Sequence, residues 1–197
     1  MCKRIGITGG IGAGKSVVSR LLRLKGYKVY DCDSEAKRIM ETDPDLRKAL
    51  IKLLGENAYS GACLNRKYIA DIIFTDSHIR EKINGLVHAA VREDFLRYAR
   101  NAEIPVFVET AILATGGFLP LVDAIWLVEA PENVRIERVR KRNGLPGKEI
   151  LERMQTQQKE FDNLPMEKTE VIVNDGESSI WNRVNNLLMA EDENEDI

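Results

Sequence analysis

The residues from Gly9 to Ser16 have the types and the spacing needed to bind a phosphate group. They run Gly-Gly-Ile-Gly-Ala-Gly-Lys-Ser and match the pattern G-x-x-x-x-G-K-[ST]. Glycines let the backbone wrap around an anion with its N–H groups pointing inward, and a following helix presents its positive N-terminal end to the same anion. In such a loop Lys15 reaches the β- and γ-phosphates of a nucleotide, and Ser16 ligates Mg²⁺. The motif predicts a nucleoside triphosphate site and by itself leaves kinases, GTPases and ATP-driven motors open.

Two aspartates, Asp31 and Asp33, follow the second apolar segment of the chain. In open parallel sheets, ligands bind beyond the carboxyl ends of the strands, which is where these residues are expected. Because they alternate along an extended segment, we expect both to lie on one side of it. One carboxylate would accept the proton of an attacking substrate hydroxyl, and the other would help through a magnesium-bound water. Alternatively, Asp33 or Ser34 caps a helix that begins near Glu35.

Basic residues cluster between 135 and 142. Arg135, Arg138 and Arg142 fall on one face of a predicted helix. Such a face is either solvated surface or a source of positive charge for a transferring phosphoryl group, and the nearby phosphate loop favours the second interpretation. The sequence has no N-K-x-D segment of the kind that reads the base in GTPases.

Apolar segments around the phosphate loop predict the elements that position it. Residues 5–8 are typical of a buried strand, and apolar residues recur at helical spacing from Val17 to Leu22. Four more segments are typical of strands: 28–30, 106–108, 125–128 and 171–173. Buried strands that alternate with helices predict an α/β fold with a parallel sheet flanked by helices.

Two helical regions depart from this alternation. Residues 44–101 carry two apolar stripes at helical spacing without a convincing strand between them, which predicts a helical insertion. The insertion either covers the core or forms a subdomain that closes over a substrate. Further on, the loop from Asn143 to Gly147 separates helices predicted at about 132–142 and 148–160, a pair able to act as a mobile lid.

The charge of the chain is unevenly distributed. Its 197 residues carry a formal net charge of −2, but five acidic residues lie among the last seven: Glu191, Asp192, Glu193, Glu195 and Asp196. We expect residues 191–197 to form a disordered, solvated tail. Without these five charges the body of the chain is mildly basic, which suits an anionic ligand. The excess is too small to indicate a nucleic-acid partner.

Cysteine usage and hydropathy indicate the compartment. The three cysteines, Cys2, Cys32 and Cys63, are widely spaced and form no C-x-x-C pair, so neither a disulfide framework nor a zinc site is indicated. The longest apolar region, 111–128, is interrupted by glycine, proline and aspartate. We therefore expect a cytoplasmic protein without a membrane partner.

The motifs together resemble those of the dephospho-coenzyme A kinase family. The family's T-G-G-I-G-S-G-K-S corresponds to residues 8–16, and its D-x-D-x-x-A-R begins at Asp31, with Lys37 in the place of the arginine. Later family motifs correspond, in order, to Leu64-Asn65-Arg66, His88 followed by Ala89, Glu109-Thr110-Ala111-Ile112-Leu113, Arg138 with Arg142, Arg153-Met154-Gln155-Thr156-Gln157, and Val171-Ile172-Val173-Asn174-Asp175-Gly176. The resemblance covers about residues 4–176.

The resemblance implies a P-loop NTPase-type fold with a helical substrate-binding insertion and a helical lid. It implies transfer of the ATP γ-phosphate to the ribose 3′-hydroxyl of dephospho-CoA, with Asp33 as the base and with Lys15 and Arg142 as further catalytic residues. The implied ATP-binding residues are Gly9, Gly10, Gly12, Ala13, Gly14, Lys15, Ser16, Val17, Arg138, Arg142 and Asn174. The implied substrate-binding residues are Asp31, Asp33, Lys37, His88, Glu109, Arg153 and Gln157. Mg²⁺ is expected on Ser16, with Asp31 or Glu109 acting through water.

The resemblance also sets the expected organisation of the chain. We expect one P-loop kinase domain over residues 1–190, with its core at about 1–43, 102–134 and 165–190, the insertion at 44–101 and the lid at 135–164. The partners are ATP and dephospho-CoA, and the chain is expected to be a monomer or a weak homo-oligomer. Two alternatives stay open: another small-metabolite kinase, acting on shikimate, gluconate or a nucleoside monophosphate, and a nucleotide-dependent regulatory module.

Overall fold

The computed structural model describes residues 2–193. Within them lie the strands β1 (Arg4–Thr8), β2 (Lys28–Asp31), β3 (Tyr59–Ser60), β4 (Cys63–Leu64), β5 (Val106–Glu109), β6 (Ala124–Glu129) and β7 (Thr169–Val173). The helices are α1 (Lys15–Leu24), α2 (Cys32–Thr42), α3 (Pro44–Leu54), α4 (Arg66–Thr75), α5 (Ser77–Ala99), α6 (Glu132–Asn143), α7 (Gly147–Phe161) and α8 (Ile180–Glu193). These elements form two compact units: within the described residues, one consists of 2–30 and 102–193 and the other of 31–101.

The first unit is built on a parallel sheet whose strand order is β2-β5-β1-β6-β7. The order places β1 in the centre, between β5 and β6. Each of the five segments predicted from apolar patterning is a strand of this sheet. The expected α/β fold with a parallel sheet flanked by helices is confirmed.

The core of the first unit explains why its strands are apolar on both faces. Ile5 and Ile7 of the central strand are fully buried, as are Phe107 and Trp126 on the neighbouring strands. The Phe107 and Trp126 rings pack with their centroids 5.0 Å apart. Helix residues from α1 and α8 complete the cluster: Val18, Leu22, Val184, Leu187 and Leu188. A central parallel strand has no solvent face, and here Gly6 and Thr8, on the face opposite to Ile5 and Ile7, are buried as well.

The parallel register brings the carboxyl ends of three strands to one edge. Ile7 of β1 lies opposite Glu109 of β5 and Trp126 of β6, and Thr8 lies opposite Leu127. The chain leaves β1 at this edge and enters α1 through Gly9–Gly14. The phosphate-loop motif therefore lies at the edge where ligands bind in parallel sheets.

The second unit is helical, with α2 to α5 and the short antiparallel hairpin β3–β4. Both predicted apolar stripes are helices, α3 and α5, but the hairpin between them was not predicted. The unit also begins at Asp31 rather than at the expected boundary of 44, because α2 packs on α5. An ion pair between Arg38 and Asp94, 2.5 Å long, joins these two helices.

The hairpin is held by side chains that flank it. The Tyr59 hydroxyl donates to the carbonyl of Met40 over 2.6 Å, and Arg47 covers the Tyr59 ring and donates to the carbonyl of Gly61 over 2.6 Å. Burial is the largest influence on Tyr59 and raises its pKa. Two-residue strands carry almost no periodic signal, so contacts of this kind, rather than local patterning, define the hairpin.

The first residue of the acidic C-terminal segment is buried in a helix, contrary to our expectation. Glu191 belongs to α8, is 8% exposed and forms an ion pair with Lys3, so the predicted solvated tail does not begin at residue 191. A basic partner near the start of the chain gives this carboxylate a reason to be buried. Glu195 and Asp196 lie outside the described residues.

Membrane-spanning potential was examined along the helices formed by residues 2–193. None of them combines the length and the apolar character needed to cross a bilayer.

Candidate active site

The phosphate loop lies in the first unit, where glycine is required by its backbone. Gly9, Gly12 and Gly14 have φ angles of 150°, 79° and 103°, values that side chains on L-residues rarely allow. A methyl group on Gly9 would also collide with the carbonyl of Val128, and one on Gly14 with the side-chain amide of Asn174. The loop is therefore packed closely on the structure around it, and its glycines cannot be replaced without strain.

The N-terminus of α1 is arranged to receive an anion. Its N-cap is Gly14, which has no side chain to accept hydrogen bonds from the first N–H groups, and its first turn contains no acidic residue. No side chain of the N-cap and no carboxylate of the first turn therefore competes with an anion for the positive end of the helix. Together with the glycine backbone, this end of α1 fits a bound phosphate.

Lys15 lies across the loop that precedes it. Its Nζ donates to the carbonyl oxygen of Gly9 over 2.7 Å, at the other end of the motif. The ammonium charge is thereby held beside the loop backbone, close to the N–H groups that would surround a phosphate. Ser16 follows as the second residue of α1.

Arg138 and Asn174 support the loop from outside. Asn174, 6% exposed at the end of β7, donates from Nδ2 to the carbonyl of Ala13 over 2.7 Å. Arg138 donates from Nη2 to the Asn174 Oδ1 over 3.0 Å, and its Nη1 lies 3.4 Å from the carbonyl oxygens of both Gly12 and Ala13. Both residues were expected to contact ATP, and both donate hydrogen bonds to carbonyl oxygens of the phosphate loop. Direct contact with ATP stays a prediction.

Arg135 is a loop contact that the sequence-based site did not include. Its Nε donates to the carbonyl of Ile11 over 3.0 Å. Burial is the largest influence on this guanidinium and lowers its pKa, while Glu132 and Glu129 act in the opposite direction. The sequence feature that could have predicted this contact is the spacing of Arg135 and Arg138, which lie three residues apart on one helix face. With both arginines the loop carbonyls of Ile11, Gly12 and Ala13 all have a guanidinium neighbour.

Arg142, predicted to be catalytic, lies at the far end of the same helix face. It is exposed, and its Nε donates to the Oδ1 of Asn143 over 2.7 Å. The structure does not bring it to the loop as it does Arg135 and Arg138. Its role toward ATP stays a prediction.

Helix α7 contacts the loop from the predicted lid. The backbone N–H of Ile11 donates to the Oε1 of Gln157 over 2.8 Å. Arg153, one turn earlier and exposed, lines with Ile11 and Gln157 an open cavity of about 670 Å³. Ile11 also packs against the buried Ile150 and Met154. Both helices of the predicted lid, α6 and α7, are thus joined to the phosphate loop.

Glu109 is the last residue of β5 and is half-buried. Its register partner Ile7 lies two positions before Gly9, so this carboxylate belongs to the same edge of the sheet as the phosphate loop. An acidic group at this edge suits the predicted role of holding a magnesium-bound water. That role stays a prediction.

Asp31 and Asp33 lie in the second unit, and their arrangement differs from the one we expected. They do not share one side of an extended segment, because helix α2 begins at Cys32, between them. Asp31 is the N-cap, accepting from the N–H groups of Asp33 at 3.1 Å and Ser34 at 3.2 Å. The cap is therefore Asp31 and not Asp33 or Ser34. Asp33, in the first turn of α2, is exposed, and its role as the base stays a prediction.

Lys37 and His88 complete the predicted substrate residues of the second unit. Lys37 is exposed and lies one turn after Asp33 on α2. His88 is half-buried on α5, where burial first and the positive charge of Arg92 second lower its pKa. It is therefore mainly neutral at pH 7, able to donate one hydrogen bond and accept another rather than supply a charge.

The side chains available for Mg²⁺ are oxygen donors. Ser16 offers a hydroxyl, and Glu109 and Asp31 offer carboxylates, which are the ligand types that Mg²⁺ prefers. Within residues 2–193 there is no group of three or more His, Cys, Asp and Glu side chains able to hold a metal ion. The donor set thus fits an ion that enters with the nucleotide phosphates, and Mg²⁺ binding stays part of the proposal below.

A parallel sheet whose central strand runs into this glycine loop, closed by Lys15 and an uncapped helix, defines a P-loop protein of the kinase type. A model of the dephospho-CoA kinase (CoaE) family matches residues 3–179. The chain therefore belongs to the dephospho-CoA kinase family, and the resemblance described from its motifs is confirmed.

Individual relatives agree with this assignment. A dephospho-CoA kinase from Bacteroides fragilis (strain YCH46) is 38% identical over 190 residues, which cover 95% of this chain and 92% of that protein. The crystal structure of TT1252 from Thermus thermophilus has a TM-score of 0.80 at 32% identity, covering 96% of this chain and 97% of the other. A shikimate kinase from Acinetobacter baumannii, with a TM-score of 0.53 at 16% identity over 98% and 95% of the two chains, shares the fold alone.

Removing the support that Asn174 gives to the loop should weaken nucleotide binding. In Asn174→Ala the Ala13 carbonyl and the Arg138 guanidinium both lose a partner, and loss of a buried hydrogen-bonding group costs about 1–3 kcal/mol. We expect the KM for ATP to rise about tenfold while kcat at saturation changes less. Initial rates over an ATP titration measure both.

The matched control for Asn174→Ala is Asn182→Ala, which changes an exposed asparagine on α8. It should leave the KM for ATP unchanged. Equal values of this KM in wild type and Asn174→Ala would show that the loop keeps its shape without the amide.

Proposed function

We propose that the chain transfers the γ-phosphate of ATP to the ribose 3′-hydroxyl of dephospho-CoA, giving coenzyme A and ADP. The observation that carries the proposal is the phosphate loop, packed between β1 and the uncapped end of α1, in a chain whose residues 3–179 match the dephospho-CoA kinase family. The loop supplies the ATP site, and family membership supplies the acceptor. The reaction is an ATP-dependent phosphotransfer to an alcohol.

The residues of the loop would do their work on the nucleotide phosphates. N–H groups from the loop and the first turn of α1 hold the phosphate oxygens, and the Lys15 ammonium balances the charge that moves with the γ-phosphoryl group. Mg²⁺, when bound with ATP, lowers the charge cost of that transfer. Arg135, Arg138 and Asn174 keep the loop in its binding shape, so little ordering is left to be done when ATP arrives.

The acceptor hydroxyl needs a base, and Asp33 is the residue proposed for it. Its carboxylate would take the proton as the oxygen attacks phosphorus in line with the departing ADP. Asp33 fits the role because Asp31, and not Asp33, caps α2, which leaves the Asp33 carboxylate for the substrate. Lys37 and His88 would contact the substrate beside it.

The acceptor can be identified by offering candidates one at a time. ADP release should rise at least about tenfold with dephospho-CoA and stay at background with shikimate, gluconate or AMP, because only the matching acceptor places its hydroxyl for attack. Phosphorus NMR of the product should show a new ribose 3′-phosphate. Stimulation by shikimate, gluconate or AMP instead would identify another metabolite kinase. ATP turnover that is equal with and without every acceptor would favour a nucleotide-dependent regulatory module.

We also propose that the reaction takes place in the cytoplasm, with ATP and dephospho-CoA as the small-molecule partners of a monomer or weak homo-oligomer. Size-exclusion chromatography with light scattering measures the mass in solution directly.

A further inference from the structure

Glu160, near the end of α7, is a buried carboxylate that the proposed mechanism does not use. It is 4% exposed. Among residues 2–193, no Lys, Arg or His forms an ion pair with it, so its charge is stabilised by hydrogen bonds. A buried carboxylate is costly unless its oxygens are well satisfied. The hydrogen-bond donors around the Glu160 carboxylate therefore indicate what this residue does.

Within the described part of the chain, the hydrogen bonds to the Glu160 carboxylate come from two neighbouring residues after β5. The Ala114 N–H donates to Oε1, the Thr115 hydroxyl donates to Oε2 over 2.6 Å, and the Thr115 N–H donates to Oε2 over 3.1 Å. Two backbone N–H groups and one hydroxyl converge on one carboxylate. Hydrogen bonds to an ionised acceptor are about twice as strong as neutral ones.

The segment held in this way, residues 110–118, begins at the edge of the sheet that carries the phosphate loop. Thr110, 3% exposed, follows Glu109 and donates its N–H to the carbonyl of Ile7 over 3.0 Å. The segment then turns back on itself, with the Phe118 N–H donating to the carbonyl of Leu113 over 3.0 Å. Its first residue is fixed by β1 and its middle by Glu160.

The same face of α7 holds the phosphate loop. Gln157, three residues before Glu160, accepts from the N–H of Ile11. One helix therefore holds backbone N–H groups of two different loops, the phosphate loop and the segment after Glu109. Because both contacts lie in the C-terminal half of α7, this half is fixed to the sheet edge.

We propose that Glu160 is a positioning residue for phosphoryl transfer, which holds the segment after β5 and thereby fixes the Glu109 carboxylate relative to the phosphate loop. The inference rests on the proposed function and on the role proposed there for an acidic group at the end of β5. If this is right, removing the Glu160 carboxylate lowers kcat only in a protein that still has the Glu109 carboxylate.

A double-mutant cycle tests this dependence. Glutamine at 160 keeps the size but turns an N–H donor toward backbone N–H groups, so the segment loosens. We expect Glu160→Gln to lower kcat about tenfold with less than about a twofold change in the KM for ATP. In the Glu109→Gln background the same change should lower kcat less than about twofold further. The proposal would be overturned if the loss of kcat in the double variant equalled the product of the two single losses. An unchanged kcat in Glu160→Gln would overturn it as well.

Two further measurements separate positioning from folding. Thr115→Val removes only the hydroxyl bond, at an exposed position, and should lower kcat about two- to threefold in wild type and not in the Glu109→Gln background. Amide hydrogen exchange at Ala114 and Thr115 should quicken in Glu160→Gln. Glu167→Gln, at an exposed glutamate, is the control for both readouts.

The outcomes distinguish this proposal from the function on which it rests. A wild-type protein that does not phosphorylate dephospho-CoA would contradict the proposed function and remove the positioning role with it. An active wild type whose Ala114 and Thr115 amides exchange equally fast with and without Glu160 would contradict the positioning role alone.

Discussion

Lys15→Ala should abolish phosphoryl transfer, lowering kcat/KM by about 10³-fold or more. The Lys15 ammonium is held beside the loop by the Gly9 carbonyl, 2.7 Å away, and Lys15 is the single lysine of the motif. Its charge is needed most in the transition state, when negative charge moves with the γ-phosphoryl group. Release of ADP in the presence of dephospho-CoA, followed by a coupled assay, measures the loss.

Lys168→Ala is the matched control, because it removes an exposed lysine from the same unit. Its kcat/KM should equal that of wild type. Thermal unfolding should show that Lys15→Ala is folded, since the substitution leaves the buried core of the unit unchanged. Full activity in a folded Lys15→Ala protein would remove the phosphate-loop argument altogether.

The parts of the fold that could be predicted are those coded by neighbouring residues. The run from Ile5 to Thr8 contains two isoleucines and no charged residue, and the motif that follows requires positive φ at defined glycines. The strand, the loop and the start of α1 at Lys15 are therefore all local consequences of one segment. The helices on either side of Asn143–Gly147 were predictable for the same reason, because glycine and proline end and begin helices.

The parts that could not be predicted depend on residues far apart in the chain. Glu191 was placed in a solvated tail because its neighbours are acidic, yet Lys3, at the other end of the chain, pairs with it. Glu160 looked like one of many charged residues on α7, and only the fold brings Ala114 and Thr115 to it. The distribution of charge along a segment gives its composition, but it does not indicate which distant residues the segment contacts in the fold.

The acidic pair shows how one local hydrogen bond changes a geometric inference. Alternation in a strand was a reasonable expectation for Asp31 and Asp33 as long as both were extended. Because Asp31 accepts from the N–H groups of Asp33 and Ser34, the helix starts at Cys32, and only the first of the two carboxylates caps it. A side chain that can cap a helix competes with the extended conformation, and here the cap prevails.

The three arginines on one face of α6 also differ in their contacts. Its three arginines were expected to act together, but Arg135 and Arg138 bond to loop carbonyls, whereas Arg142 bonds to Asn143. Both guanidinium groups bind carbonyl oxygens of the loop, so they fix its backbone without competing with a phosphate for N–H groups. Arg135 and Arg138 thus support the phosphate loop, and a contact of Arg142 with ATP stays a prediction.

Asp33→Asn should fold normally and lose about 10²-fold or more in kcat, because asparagine cannot accept the proton of the attacking hydroxyl. The substitution keeps the size of the side chain and leaves the cap of α2 to Asp31. The KM values for ATP and dephospho-CoA should change much less than kcat, since a base acts in the transition state. Steady-state rates with each substrate varied in turn separate these parameters.

Asp45→Asn provides the matched control, because Asp45 holds the same second position in α3 that Asp33 holds in α2, and both are exposed. Removing an acidic charge from the first turn of a helix costs at most about 1 kcal/mol of stability, so both variants should show similarly small shifts in Tm. Only Asp33→Asn should lose activity, which attributes the loss to the missing base and not to a weakened helix. Near-normal turnover in Asp33→Asn would contradict the assignment of Asp33 as the base, and Asp31→Asn would be the next variant to measure.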